Sequence, residues 1–246
     1  MANIAITLGD PSGVGPEVAL RTLSGFREKG IIPVLIGRKD ILEKNYSRFL
    51  DFPLISINGD FSRCIEGNVY IHDCSTGLPI AEPGKGTLEG AKESLFYIDE
   101  AIRLWKEGYV RAMVTGPVHK GNIEKSGTPF MGHTEYIAAA IGEDSPYMMM
   151  YSRDMRVLLV TTHVPVADLP SLVTEESILR TIRTGHNALL KIDGKLPKIA
   201  VAGFDPHCGD SGAIGDFDDT VTSKAISRAK EEGIDVCGPL SADTLF

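Results

Sequence analysis

The chain has 246 residues, 43% of them apolar and 24% charged, a mixture that predicts a folded protein of one large or two modest domains rather than a disordered chain. Its net charge is −8 and its lysines and arginines are scattered, which excludes the basic stripe of a nucleic-acid-binding surface. No apolar run approaches the ~18 residues of a membrane span, and the first residues lack the charged start of a signal peptide. We therefore expect a cytoplasmic protein without a membrane partner.

Short β-rich runs alternate with helical patterns along the chain. Several of these runs are apolar without polar alternation, as expected where both faces of a sheet are covered. The predicted strands cover residues 4–8, 34–36, 54–57, 69–72, 112–115, 148–151, 157–160 and 199–202. This order predicts an α/β protein with a largely parallel or mixed sheet.

The clearest helical pattern has apolar residues three and four apart from Leu88 to Trp105, with Thr87 placed to cap its start and Gly108 to end it. Further helices are predicted over residues 17–23, 135–141, 175–191 and 218–232. Turn-forming residues at 125–129 predict a boundary, so the expected domains cover residues 1–127 and 128–246. The four cysteines show no C-x-x-C spacing, so we expect reduced thiols.

A glycine-rich segment at residues 9–17 follows the first predicted strand and leads into a helix. Pro16 suits the first helical turn, and the amides of the segment could cradle an anion. The glycines can equally serve only a tight turn, and their spacing differs from the G-x-G-x-x-G fingerprint of dinucleotide-binding folds. Residues 84–87 (GKGT) lack the Ser or Thr that follows the lysine of a phosphate loop, so we interpret them as a loop before the helix.

Two histidines follow predicted strands in similar settings. His163 lies in residues 161–165 (TTHVP), and His207 lies in residues 205–210 (DPHCGD). Imidazole is a common metal ligand, and the carboxyl ends of strands gather active-site residues in α/β folds. The pairing suggests a divalent-metal site, although no third ligand is evident and two histidines do not select zinc. The alternative for each is a hydrogen-bonded loop histidine.

Two further positions are candidates for binding an anion. His133 and Thr134 enter a predicted helix, whose first amides can bind a phosphate or carboxylate, although Thr134 can also simply cap that helix. Lys120 follows the predicted strand at 112–115 and either steadies an anionic substrate or lies in solvent.

Six motif blocks occur in one register along the chain. They are residues 7–17 (TLGDPSGVGPE), 114–120 (VTGPVHK), 132–135 (GHTE), 161–165 (TTHVP), 205–210 (DPHCGD) and 238–246 (GPLSADTLF). Together they resemble the 4-hydroxythreonine-4-phosphate dehydrogenase family of pyridoxal phosphate biosynthesis. Six blocks in family order are far more specific than any one of them.

The resemblance implies a fold similar to the isocitrate and isopropylmalate dehydrogenases, with two open-sheet lobes around a cleft, in a homodimer with shared active sites. It implies a metal-dependent oxidation of a phosphorylated hydroxy acid with decarboxylation, using NAD or NADP and a divalent cation such as Zn, Mg or Co. The implied substrate is 4-hydroxythreonine 4-phosphate. Alternatives are a threonate or erythronate 4-phosphate, an aromatic cis-dihydrodiol, or a non-catalytic homologue that binds a metal or an anion.

The resemblance also implies roles for six side chains. They are metal ligands at His163 and His207, substrate-binding groups at His133 and Thr134, and catalytic groups at Lys120 and Asp243, of which Asp243 also lies near the nicotinamide.

Two features depart from the family pattern. Asp205 and Asp210 stand where the family commonly has Asn and Glu, and an added carboxylate favours a cation but repels an anionic substrate. Family members also continue beyond residues 241–246, with a third metal histidine, basic substrate-binding residues and most of the nicotinamide surface. We therefore expect a chain that lacks its C-terminal part and is inactive by itself.

Overall fold

The structure is a computed structural model that describes residues 1–26, 29–57, 59–79 and 82–246. The chain divides into two compact units, Met1–Pro146 and Tyr147–Phe246. The boundary predicted between residues 127 and 128 lies inside the first unit. The reason is that helix His133–Ile141, which follows it, packs on the long helix of that unit, where Tyr136 Oη donates a hydrogen bond of 2.8 Å to Asp99.

Five parallel strands form the sheet of the first unit. They are β1 (Ala2–Thr7), β2 (Ile31–Gly37), β3 (Leu54–Ser56), β4 (Val69–Asp73) and β5 (Ala112–Thr115), in the order β3-β4-β2-β1-β5. In β1, Ile6 pairs with Leu35 on one side and Val114 on the other. The chain leaves β1 towards β2 and later returns to β5 on the opposite side of β1. Ligands of such sheets bind where the strand order reverses, at the carboxyl ends of the two strands, here β1 and β5.

Five helices accompany this sheet. They are α1 (Gly15–Leu23), α2 (Lys39–Asn45), α3 (Leu88–Lys106), α4 (Lys120–Lys125) and α5 (His133–Ile141). Thr87 caps α3 as predicted, accepting a hydrogen bond of 3.0 Å from the amide of Gly90. The apolar run of β2 is buried because the sheet is covered on both faces, and each fully buried aliphatic side chain contributes about 1.5–3 kcal/mol.

A buried ion pair ties α3 to the end of β2. Arg38, which follows β2, donates to Glu93 Oε1 of α3 and to the carbonyl oxygen of Leu78, both at 2.8 Å. Arg38 and Glu93 are 3% and 2% exposed. Arg38 also pairs with the carboxylate of Asp40, which together with Glu93 raises the pKa of the guanidinium despite burial.

The second unit has two separate pairs of strands. The antiparallel pair is β6 (Met149–Tyr151) with β7 (Arg156–Leu158), and the parallel pair is β8 (Ile199–Ala202) with β9 (Val236–Leu240). Its helices are α6 (Leu169–Leu172), α7 (Glu175–Asp193) and α8 (Ser223–Glu231), and its core lies where α7 and α8 pack on β8 and β9. Residues 147–246, all of which the structure describes, thus form no single open sheet of the kind expected for a second lobe. The short β6 and β7 pair only with each other, and β8 pairs only with β9.

Each predicted strand and helix is present, with ends shifted by a few residues. Four elements were not predicted: α2, α4, α6 and β9. The three helices span too few turns to show periodicity. In β9, Gly238 and Pro239 indicate a turn, but a two-stranded sheet consists of edge strands only, where proline is tolerated. Among the described residues, every helix is too short or too polar to serve as a membrane span.

Candidate functional site

The carboxyl ends of β1 and β5 are joined by their loops. The amide of Gly116 donates to the Thr7 carbonyl oxygen at 3.0 Å, and the amide of Asp10 donates to the Pro117 carbonyl oxygen at 2.9 Å. Gly9 has a φ of +70°, and a Cβ at this position would lie 2.2 Å from that Pro117 oxygen. Gly9 is therefore required for the close approach of the two loops.

A buried carboxylate occupies the glycine-rich segment. Asp10 is 5% exposed, and its Oδ1 accepts hydrogen bonds from the amide and hydroxyl of Ser12 at 2.9 and 2.7 Å. Tyr46 Oη donates to the carbonyl oxygens of Pro11 and Gly13, both at 3.1 Å. A loop whose polar groups are used internally and which holds a buried acid is a poor cradle for a phosphate, so the geometry favours the tight-turn interpretation of residues 9–17.

His133 begins α5 and presents a free nitrogen. Its imidazole makes a hydrogen bond with the backbone of Gly116, and its ring contacts Phe130 edge to face. Nε2 is buried and has no hydrogen-bond partner among the residues that the structure describes. The N-cap of α5 is Gly132, so Thr134 lies inside the first turn and does not cap the helix. A buried nitrogen without a partner at the carboxyl end of β5 requires a hydrogen-bond partner that the described residues do not supply.

Lys120 lies beside the start of α5. Its Nζ donates to the Met131 carbonyl oxygen at 2.8 Å and lies 3.7 Å from the point that a Cβ on Gly132 would occupy. Glu135 Oε2 lies 2.8 Å from the same point, so a cation and a carboxylate flank the first turn. The structure thus brings Lys120, His133 and Thr134 together. The preceding His119 caps α4, its Nδ1 accepting from the amide of Asn122 at 3.1 Å.

Burial lowers the pKa of His133 below its ordinary value of 6.5, and the nearby Lys120 lowers it further, whereas the hydrogen bond to Gly116 opposes the shift. Between the lowered pKa and 6.5, the unfolded chain holds a proton that the folded chain lacks. We therefore expect the free energy of unfolding to fall as the pH falls through this window. Urea unfolding between about pH 5 and 8, where histidines titrate, checks this. His133→Gln should show a smaller fall, and identical pH profiles would contradict the expectation.

The two strand-end histidines of the second unit share an unusual backbone. His163 follows β7 and has a φ of +54°, and His207 follows β8 and has a φ of +51°. Every described non-glycine residue with positive φ lies in these two loops: His163, His207, Cys208, Asp210 and Ser211. The left-handed conformation costs about 1–2 kcal/mol for each such residue. Strain of this kind concentrates at functional sites, which sets these histidines apart from ordinary loop residues.

Asp243 lies beside His207. Its Oδ2 is 3.4 Å from His207 Nδ1, and its Oδ1 accepts a hydrogen bond from the hydroxyl of Ser241. This hydrogen bond lowers the pKa of Asp243 and keeps the carboxylate ionised. An ionised acceptor favours the tautomer with the proton on Nδ1, which leaves Nε2 of His207 free to bind a ligand.

The residues that depart from the family pattern lie in the His207 loop. The carboxylate of Asp205 rests against Gly215, where a Cβ would lie 2.3 Å from Asp205 Oδ2. Asp218, which no pattern in the sequence indicates, is 1% exposed and accepts hydrogen bonds of 2.9 Å from the amides of Phe204 and Asp205. The sequence feature that could have indicated Asp218 is an acidic residue at the start of the helix predicted over residues 218–232. That feature is too common at helix starts to identify a loop anchor.

A divalent cation fits these residues only in part. His163 and His207 are suitable donors on strand-end loops of one unit. Across the described ranges, however, no group of three or more His, Cys, Asp or Glu side chains is arranged to hold a metal ion. Catalytic zinc sites usually have three protein ligands. The described residues therefore do not by themselves form a complete ligand set for a metal ion.

The chain is similar to proteins of one known family. The family model of the pyridoxal phosphate biosynthetic protein PdxA matches residues 29–246. A 4-hydroxythreonine-4-phosphate dehydrogenase from Sulfurihydrogenibium sp. is 33% identical over 248 residues, covering 100% of this chain and 76% of the relative. One from Colwellia psychrerythraea is 36% identical over 252 residues, covering 99% and 75%.

A solved structure agrees with these matches. The crystal structure of 4-hydroxythreonine-4-phosphate dehydrogenase from Klebsiella pneumoniae matches with a TM-score of 0.87 at 26% identity, covering 100% of this chain and 77% of that one. The family resemblance found in the six motif blocks is confirmed. The chain belongs to the PdxA family of pyridoxal phosphate biosynthetic proteins.

Proposed function

We propose that this protein oxidises 4-hydroxythreonine 4-phosphate with NAD in pyridoxal phosphate biosynthesis. In the proposed reaction, the secondary alcohol of the substrate transfers a hydride to the nicotinamide and releases its hydroxyl proton. The resulting β-keto acid then loses carbon dioxide. The observation that carries the proposal is the free, buried Nε2 of His133, which lies beside Lys120 at the switch point of the sheet in a chain of this family.

The first unit would bind the substrate. Because His133 donates its other nitrogen's proton to Gly116 and is neutral above its lowered pKa, Nε2 acts as an acceptor for a substrate hydroxyl or ammonium group. The amides at the start of α5, the hydroxyl of Thr134 and the ammonium group of Lys120 are the donors for phosphate or carboxylate oxygens. A phosphorylated hydroxy amino acid offers groups of both kinds.

The second unit would contribute cation ligands. His163 and His207 are the proposed donors, and Asp243 keeps the proton of His207 on Nδ1 so that Nε2 can bind. When bound, a divalent cation would supply a Lewis acid for the reaction. Asp243 is also the proposed polar group beside the nicotinamide. Its lowered pKa keeps the carboxylate ionised.

A second copy of the chain is the proposed partner. The hairpin of β6 and β7 exposes Met150, Tyr151 and Met155 to 55%, 59% and 51%. A two-stranded hairpin is marginally stable without further packing, and exposed strand edges invite pairing with another chain. We propose that this face takes part in a homodimer, which sedimentation equilibrium tests directly.

The test of the proposed function is NADH or NADPH formation by the purified protein, with added Zn, Mg or Co, NAD or NADP, and a panel of substrates. The panel holds 4-hydroxythreonine 4-phosphate, threonate and erythronate 4-phosphates, and an aromatic cis-dihydrodiol. The highest kcat/KM is expected for the first, and a preference for another substrate would overturn the assignment.

His133→Ala and Thr134→Ala are each expected to lower kcat/KM by about 10- to 100-fold, because a hydrogen bond to a charged group contributes about 1.5–3 kcal/mol. Their affinity for Co²⁺, measured by calorimetry, should remain unchanged. His186→Ala is the matched control and should retain kcat/KM. Loss of Co²⁺ binding with an unchanged KM would reverse the roles proposed for the two units.

A further inference from the structure

The loop that carries His207 has a rare backbone conformation over a continuous run. Residues 207–212 all have positive φ, and four of them are not glycine. Such conformations persist only where surrounding contacts hold them, because L side chains disfavour them. The contacts that hold this loop therefore decide where the imidazole of His207 lies.

The carboxylate of Asp218 binds the chain just before this turn. Both Asp218 oxygens lie within hydrogen-bond distance of the Phe204 amide, at 2.9 and 3.0 Å, and Oδ2 also accepts from the Asp205 amide at 2.9 Å. Asp205 is separated from His207 by a single proline. Hydrogen bonds from amides to an ionised carboxylate are stronger than those between neutral groups. Asp218 is almost fully buried, so water does not compete for these bonds.

The packing around Asp218 reaches the left-handed turn itself. A Cβ on Gly203 would lie 2.7 Å from Cys208 Sγ and 3.2 Å from Asp218 Oδ2, so the carboxylate and the turn meet above this glycine. The rings of Phe204 and Phe217 stack with centroids 4.1 Å apart and join the two ends of the loop. The carboxylate of Asp218, the close packing at Gly203 and the pair of phenylalanine rings together restrict the conformation of the loop that carries His207.

We infer that Asp218 is a positioning residue, which holds the backbone of Phe204 and Asp205 and thereby directs the imidazole of His207 towards Asp243. The expected effect of Asp218 on cation binding rests on the proposed function, in which His207 is a cation ligand. Its effect on the position of His207 does not depend on that function.

The first experiment therefore uses the metal-free chain. The imidazole resonances of His207 are measured by NMR and assigned through their loss in His207→Ala. Asp218→Asn keeps the side-chain volume but removes the charge and one acceptor, so it is expected to shift these resonances. Asp219→Asn removes the same charge from the exposed neighbour and should leave them in place. The resonances of His186 on α7 should not move in either variant.

Gly203→Ala provides a second route to the same result, because its Cβ would displace Cys208 and Asp218. Circular dichroism checks the fold of each variant. Unchanged His207 resonances in folded Asp218→Asn and Gly203→Ala would overturn the inference.

A Co²⁺ titration then separates this inference from the proposed function. Asp218→Asn is expected to weaken Co²⁺ binding by about 10- to 100-fold, the usual effect of losing a group that orients a ligand, and to alter the visible Co²⁺ spectrum. If Co²⁺ binding requires His207 but ignores Asp218, the inference fails and the proposed function stands. If the His207 resonances move but Co²⁺ binding does not require His207, the positioning role stands and the proposed cation site fails.

Discussion

The double variant His163→Ala/His207→Ala is expected to bind no Co²⁺ measurably. Each single variant should weaken binding by more than about tenfold, because losing a direct ligand costs at least as much as losing a group that only orients one. Isothermal titration calorimetry of the chain at neutral pH measures the effect. His186→Ala should bind like the unaltered chain, since His186 lies on α7. Wild-type affinity in the double variant would remove both histidines from the site.

The backbone strain at His207 sharpens this prediction. Glycine adopts a positive φ without the penalty of a Cβ, so His207→Gly should be more stable than His207→Ala by about 1–2 kcal/mol while losing the same Co²⁺ affinity. Urea unfolding of the two variants measures the difference. Equal stability would show that the loop relaxes when the imidazole is removed.

Glu93→Ala is expected to lower the free energy of unfolding by about 3–5 kcal/mol, because removing one partner leaves the other charge buried without full compensation. Among the described residues, Arg38 would keep Asp40 as its carboxylate partner, whose side chain is 47% exposed, and the carbonyl oxygen of Leu78. The variant would also lose the ion pair that links α3 to the residue following β2. Denaturant unfolding of the purified variant measures this cost.

Glu107→Ala is the matched control at the end of the same helix. Glu107 pairs with Arg103 at 2.7 Å, but both side chains are more than 40% exposed. Exposed pairs contribute about 0–1 kcal/mol, so this variant should remain close to the unaltered chain. Equal losses in the two variants would show that the buried pair adds nothing beyond a surface contact.

Local sequence patterns predicted much of the fold for physical reasons that act over few residues. The apolar runs of β2 and β8, the three-and-four spacing of α3 and the cap at Thr87 depend on neighbours within one or two turns or within one strand. The family could also be recognised from the sequence, because its motif blocks are contiguous and occur in order. The setting of His163 and His207 after strands followed from the same local patterns.

Contacts between distant residues were decided only by the tertiary structure. Arg38 and Glu93 are 55 positions apart, and neither burial nor pairing of the two charges follows from the residues around them. The first compact unit extends to Pro146 because α5 packs on α3, a contact that the turn chemistry near residue 127 does not encode. Likewise, β9 exists because β8 offers it a partner.

For the candidate site, the sequence by itself determined which residues are candidates, because imidazole, ammonium and carboxylate groups are recognisable by type. It did not determine their conformation. The left-handed backbone of His207, the orientation of its Nδ1 towards Asp243 and the role of Asp218 depend on a carboxylate that binds amides 13 and 14 positions earlier in the chain. Backbone strain is sustained only by such long-range contacts, so only the tertiary structure could decide these features.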